Sequence, residues 1–511
     1  MWIVQFYSRA AIWPPFLRGV MKKNIITLLL LLIPSHSYAF SDVQNYFLDS
    51  GVRTLGRGGF APVGTEPESM VLDDPLTLRI ASSAEKLRFE TTYEYQRILK
   101  LYDGRWKGTH ADSDSFETVA AMPFSFMKDD LKLIVAIGYA SKGSDVRAFS
   151  EKDKIDLTTG SSQDSVRGSL YLSYRDKLMA AMTIDGNDYV SGVQLPFEVR
   201  IQPIEAFALG YRQNYFHFKT DIQANISGNN GMIPFSYNQQ RRQLYGEVTL
   251  FDGLFLRIGA DPANLDNLYG EGRMQLPYGF YLAGLVSQQK IDDLRQPFTA
   301  GNDPGGHIDV RLKDFRYRIG VGFDMNEQWN TEFNYIHSRL DLNGGGVANA
   351  RAVVDFWPSL IVGNYNYLYS GGVSTDQFQL TGAYQGTRCS FQTGIQYIHM
   401  QPSFQLDYWR SALFGFGRAG AGNERLTTDS VDIVGLFFGF GYRLGPATFN
   451  YAIGQFIPFA THENKADSSE SGGGSSGSGN GGGKDIFEQI GDKISHHPGG
   501  LIQRLQLTFE F

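Results

Sequence analysis

The side chains that could do covalent chemistry are few, and their spacing suits none of the usual reactions. His337 and Ser338 stand side by side next to a predicted external loop. Successive side chains on a strand leave by opposite faces, so this pair cannot pass a proton from hydroxyl to imidazole. Asp129-Asp130 is an acidic pair in a short turn, on the opposite side from that loop. His496-His497 lack a spaced third ligand and read as solvated loop residues rather than a metal site. Asp112 and Asp114, in a predicted polar loop, lack the glycine-containing calcium loop and read as solvated charge. A single cysteine, Cys389, excludes an intrachain disulfide framework and a Cys-rich zinc centre. No nucleophile elbow or phosphate-cradling loop is present. The sequence calls for no enzyme activity, no metal and no cofactor.

What remains is charge placed by parity, and parity belongs to strands. At the C-terminus Leu505, Leu507, Phe509 and Phe511 alternate with Arg504, Gln506, Thr508 and Glu510. Phe315 to Phe323 alternate with Arg316, Arg318 and two glycines, and Trp329 to Tyr335 alternate with Asn330, Glu332 and Asn334. Near the start Phe89, Tyr93 and Tyr95 alternate with Arg88, Glu90, Glu94 and Gln96. Each run therefore has one apolar and one polar face. The runs last about ten residues, the length at which a tilted strand crosses a membrane. Arg88, Glu90, Glu94, Arg316, Arg318, Glu332, Arg504 and Glu510 are the candidate lumen residues. They carry both signs, which predicts no strong ion selectivity.

Composition and leader agree with an exported membrane strand protein. Of 511 residues only 19% are charged while 14% are aromatic, and the sequence pI is near 5.8, which argues against a nucleic-acid binder. From Met21 the chain reads Lys22-Lys23, then apolar Ile25 to Ile33, then Ser37-Tyr38-Ala39: a secretory signal with cleavage after Ala39. Residues 1–20 read as an upstream extension or a long basic leader. Removing 1–39 takes four basic residues and no acid, shifting the net charge from −7 to −11.

Nine short connections carry turn residues: 127–130, 175–177, 202–205, 251–253, 277–279, 324–328, 357–359, 385–388 and 443–446. The alternate ones are longer and polar: 98–113, 142–164, 223–239, 290–307, 400–430 and 459–499. Short periplasmic turns and longer external loops, with both ends in the periplasm, give an all-β, antiparallel up-and-down transmembrane barrel of about 20 strands over 86–511. The range is 14–20, and the short runs near 177–184 and 269–276 are the weakest. Residues 466–484 form a Gly/Ser-rich external linker. The following Ile486, Phe487, Ile490 and Ile494 share one helical face.

The terminal strand, with Leu505, Leu507, Phe509 and Phe511, resembles the closing strand of Gram-negative outer-membrane barrels. That resemblance implies the barrel-assembly machinery as a partner, lipopolysaccharide and other outer-membrane lipid as surroundings, and the cell outer membrane as location. A barrel this wide would leak, and residues 40–85 are the candidate plug, with Gly51, Arg53, Gly56, Arg57, Gly58 and Gly59 in a run suited to tight turns. This run, followed by Asp74-Pro75, resembles the N-terminal hatch of the FadL-type long-chain fatty-acid and hydrocarbon channels. It implies passive uptake of hydrophobic molecules by way of the hatch. The expected function is a plugged or gated channel for a small molecule. The alternative is a surface interaction or export component whose loops 400–430 and 459–499 bind a partner.

Overall fold

The computed structural model describes residues 85–511, apart from 101–109, 129, 151–154, 176, 188–192, 227–228, 251–252, 301–302, 327, 349–352, 357–358, 362–364, 413–416, 428–429 and 463–499. The signal, the plug run, the linker, the amphipathic segment and His496-His497 all lie outside the described residues.

The chain is laid out almost entirely as strands. They begin with β1 (Arg88–Lys100), β2 (His110–Phe126), β3 (Leu131–Ser150), β4 (Ile155–Tyr174), β5 (Leu178–Asn187), β6 (Val193–Gln194) and β7 (Phe197–Ile204). There follow β8 (Phe207–Ile226), β9 (Asn229–Leu250), β10 (Leu254–Asp261), β11 (Asn264–Gln275), β12 (Phe280–Ala300), β13 (Asp303–Asp324) and β14 (Trp329–Ala348). The last are β15 (Val353–Phe356), β16 (Ser359–Ile361), β17 (Tyr365–Gln385), β18 (Cys389–Ala412), β19 (Gly417–Thr427), β20 (Ser430–Leu444), β21 (Ala447–His462) and β22 (Gly500–Glu510). Sequential strands pair antiparallel, and β22 pairs β1 from Glu510–Arg88 to Leu501–Arg97, which closes the sheet on itself. The sheet has 20 strands, of which β6 and β19 are side pieces of the external ends, so 18 form the closed wall.

The count departs from about twenty at one connection. Residues 357–359 do not link two spanning strands: they join β15 and β16, four and three residues long, in a separate two-stranded sheet between β14 and β17. Trp357-Pro358-Ser359 has good turn chemistry, but flanks that short cannot cross a hydrocarbon layer. The two weak hairpins are both present, as β5 with β7 and β10 with β11. They are short, and beyond their tips the long strands meet each other: β4 pairs β8 at Ile155–Gly160, and β12 pairs β9 at Thr299.

The external connections differ from the expected loops in kind. Residues 142–164, 223–239 and 290–307 are mostly continuations of the ribbons β3–β4, β8–β9 and β12–β13, and β19 folds back on β18 within 400–430. Asp112 and Asp114 likewise lie within β2, where Asp112 accepts from Arg97 Nε at 3.2 Å. A paired ribbon satisfies its backbone bonds in water as well as in lipid, so loss of apolar alternation does not end a strand. On the periplasmic side the β2–β3 connection is four residues long, between paired Phe126 and Leu131, with Met127 and Lys128 both at positive φ (54° and 59°).

Burial is inverted relative to a soluble protein. Outward Ile137, Ile258 and Ile319 are 63%, 69% and 58% exposed, while inward Glu332, Gln377 and Gln396 are 1%, 0% and 0% exposed. Such a surface is stable only in a hydrocarbon solvent. Aromatic girdles border it. Trp329, Tyr384, Phe391 and Phe440 form one row, with successive centroids 4.8, 6.4 and 5.3 Å apart. Tyr317, Tyr335, Phe378 and Tyr397 form the other, at 5.9, 5.2 and 6.3 Å. The step from Trp329 to Tyr335 is roughly 20 Å along the strand. Among the described residues no helix is long and apolar enough to cross a membrane.

Candidate functional site: the inner wall

Every second residue of the spanning strands faces inward, and the register decides which of these meet. At the closing seam Arg504 Nε donates to Glu94 at 2.6 Å, Gln506 donates to Glu90 at 2.6 Å, and Arg88 bonds Glu90 at 2.6 Å and lies 3.7 Å from Glu510. On β13 and β14, Arg318 donates to Glu332 at 2.7 Å and to Asn334 at 2.9 Å, and all three are nearly fully buried. Glu332 also takes the Tyr281 hydroxyl at 2.8 Å. Arg316 lies two residues from Arg318 on the same face, opposite Ser287 and Ser338. The candidate lumen residues thus share the inward parity, and seven of them fall into these two clusters.

A third and larger cluster escapes the sequence reading. Arg212 donates to Glu198 at 2.8 Å, and Tyr245 gives its hydroxyl to the same carboxylate at 2.5 Å. Arg200 and Arg257 grip Glu247 from either side, at 2.8 and 2.7 Å, and Arg257 reaches on to Glu271 at 2.8 Å. The chain Arg200–Glu247–Arg257–Glu271 therefore alternates in sign across the wall from β7 to β11. The signal was available: in Leu254, Leu256 and Ile258 alternating with Phe255, Arg257 and Gly259, the arginine falls on the same parity rule.

Between the charged sectors the wall changes character. On β17 and β18 it is made of neutral hydrogen-bonding groups, with Gln396 donating to Gln377 at 2.7 Å and Thr375 beside them. Val119, Ala121, Ile134 and Ala136, with Tyr171, form an apolar strip on β2–β4, and Phe437, Ala452, Ile502 and Phe456 form another on β20–β22. Arg88, Arg200, Arg212, Arg257, Arg318 and Arg504 each have an anion at contact distance, so opposite charges largely cancel within these clusters.

The chemically reactive candidates are not brought together. Ser338 is inward and buried, whereas His337 is outward and pairs with Asp376, so no proton path joins them. Asp130 sits in the β2–β3 turn and binds Arg175 of the next periplasmic turn at 2.9 Å. Among the described residues no three metal-ligating side chains cluster. The assembly residues Leu505, Leu507 and Phe509 lie outward on β22. Phe511 follows, its ring 6.4 Å from Phe509 and 6.3 Å edge-on to Phe89, and its amide donates to Leu87 at 3.0 Å.

No family model matches the chain, and no curated protein does. Solved structures with a similar chain path include the Ralstonia pickettii toluene transporter TbuX, at TM-score 0.40 and 10% identity, covering 91% of this chain and 99% of that one. The Pseudomonas putida toluene transporter TodX gives TM-score 0.33 and 10% identity, over 91% and 98%. A Pseudomonas aeruginosa FadL homologue gives TM-score 0.33 and 10% identity, over 91% and 98%. The apolar, aromatic-girdled exterior, the polar interior and the β1–β22 closure make this chain a transmembrane β-barrel of the outer-membrane type.

Proposed function

We propose that the protein is a passive channel of the Gram-negative outer membrane, plugged or gated, that admits a small molecule with apolar character. The observation that carries this reading is the inner wall. Eighteen strands at the usual spacing and tilt enclose a backbone cylinder of about 18 Å radius, wide enough for solute once side chains are allowed for. The paired charges give neither sign an advantage, and the apolar strips on β2–β4 and β20–β22 offer an uncharged surface to a hydrophobic solute. TbuX and TodX are described as toluene transporters, a solute class of this kind. Residues 40–85 are the proposed plug, entering from the periplasmic end of β1. The barrel-assembly machinery is the proposed reader of the strand ending in Phe511. Catalysis has no place in this reading.

Liposome swelling with solutes graded in size and polarity tests it. Flux that rises for small apolar solutes and shows little ion preference supports the channel. The competing reading, a surface interaction or export component, has residues 400–430 and 459–499 as its partner-binding segments, and the long ribbons β8–β9 and β12–β13 support it. A barrel silent to every solute, together with a partner captured through its external segments, would favour that second reading.

A further inference from the structure

The outer face carries the same unit twice. Tyr335-Ile336-His337 on β14 stands beside Asp376 on β17, and Tyr397-Ile398-His399 on β18 stands beside Asp432 on β20. In each unit a Tyr hydroxyl and a His Nδ1 meet one carboxylate oxygen, at 2.7 and 2.9 Å on Asp376 and at 2.9 and 2.7 Å on Asp432. Ile336 and Ile398 are inward and buried, so the polar groups share the parity of outward Phe333, Leu380 and Ile395. The register sets His337, Asp376, His399 and Asp432 directly opposite one another across four adjacent strands. This row lies two residues beyond Tyr335, Phe378 and Tyr397 of the external aromatic girdle and level with Tyr317, at the depth of outer-leaflet headgroups.

Hydrogen-bond accounting then fixes what can bind there. A carboxylate only accepts, so Nδ1 of each imidazole carries a proton, and in the neutral ring Nε2 is left as an acceptor. His399 Nε2 is occupied by the Gln401 amide at 2.9 Å. His337 Nε2 and Asp376 Oδ2 have no hydrogen-bond partner among the described residues, and the Asp376 side chain is 38% exposed. Tyr317 stacks on the His337 ring at 5.2 Å and supplies a flat flank. In the next row Arg339 already bonds Asp341 at 3.0 Å. Within the His337–Asp376 unit the free groups are therefore acceptors, while Arg339 in the next row, 62% exposed, keeps guanidinium N–H groups that Asp341 does not take. A bare phosphate would bring more acceptors and negative charge, whereas a sugar brings hydroxyl donors.

We propose that this row holds the sugar headgroup of an outer-leaflet glycolipid, with hydroxyls donating to His337 Nε2 and Asp376 Oδ2 and a ring face against Tyr317. The site is on the lipid side of the wall and is independent of solute passage, so conductance reports separately on the channel.

The test uses the full-length barrel in detergent, incubated with rough lipopolysaccharide or with phosphatidylglycerol, and counts retained lipid by native mass spectrometry. Wild type should retain the glycolipid in preference. His337→Phe with Asp376→Asn should weaken retention about tenfold, since one hydrogen bond is lost and a second loses its charged acceptor. Heat-modifiable mobility and conductance should stay unchanged. Asp376→Asn alone should give a smaller loss in the same direction and serves if the double variant folds poorly. Retention equal to wild type in the variants, equal retention of phosphatidylglycerol, or a loss confined to Arg339→Gln would overturn the assignment, the last because it would make phosphate the recognised group.

Discussion

The ring of Tyr281 lies against Gly322, its partner across β12 and β13, in the space a Cβ would need, and its hydroxyl donates to Glu332 at 2.8 Å. Tyr245 repeats the arrangement over Gly210, with its hydroxyl on Glu198 at 2.5 Å. In both, a glycine lets an inward tyrosine lie flat along the wall and reach a carboxylate that an arginine also holds. Gly322→Val should lift Tyr281 from its seat, costing about 1–3 kcal/mol by overpacking. The urea midpoint of the heat-modifiable band should fall. Gly168→Ala, where a Cβ meets nothing within 4 Å, should leave it unchanged. An equal fall in both variants would show that the tyrosine seat is not the cause.

The buried pair of Arg318 and Glu332 makes a different prediction. Glu332→Gln keeps the shape and leaves a guanidinium that is 3% exposed facing an uncharged amide. Breaking a buried pair on one side costs about 3–5 kcal/mol. The double change Arg318→Met with Glu332→Gln should recover much of that loss, because no buried charge is then left alone. Unfolding midpoints of the two variants decide the matter: a double variant no better than the single one would mean that the hydrogen bonds to Asn334 and Tyr281, not the charge balance, hold this sector.

Phe511 is the last residue, and its apolar ring, 64% exposed, extends the outward row of Phe509. Removing it deletes the amide bond to Leu87 and the edge contact with Phe89 across the seam. Folding yield, read as the fraction of heat-modifiable barrel in the membrane, should drop severalfold while the folded fraction keeps its midpoint. A lower midpoint with normal yield would locate the role of Phe511 in seam stability rather than in assembly.

The alternation in Phe89–Tyr95, Phe315–Phe323 and Leu505–Phe511 made the barrel legible in the sequence, because lipid on one side and polar contents on the other impose a two-residue period. The strand number was less legible. A turn such as 357–359 is local chemistry, but whether its flanks cross the membrane depends on their length. The extent of the external ribbons was hidden for a related reason: where water lies on both sides, a strand has no apolar face to reveal it. Parity could also have yielded the inward set of Glu247, Arg257 and Glu271. Their mutual contacts, and the seating of Tyr245 on Gly210, needed the register of strands that are tens of residues apart in the chain.

The last prediction concerns what fills the barrel. An 18-strand cylinder has room for water, and a neutral wall of paired charges does nothing to exclude small ions. If residues 40–85 occupy the lumen, deleting about residues 40–80 behind the intact signal should raise single-channel conductance severalfold. The barrel should still fold, because its backbone hydrogen bonds run between neighbouring strands around the whole wall and close at the β1–β22 seam without help from that segment. Heat-modifiable mobility checks the folding and planar-bilayer recording checks the opening. A folded deletion variant with wild-type conductance would place the segment outside the pore and turn attention to residues 459–499 as the closing element.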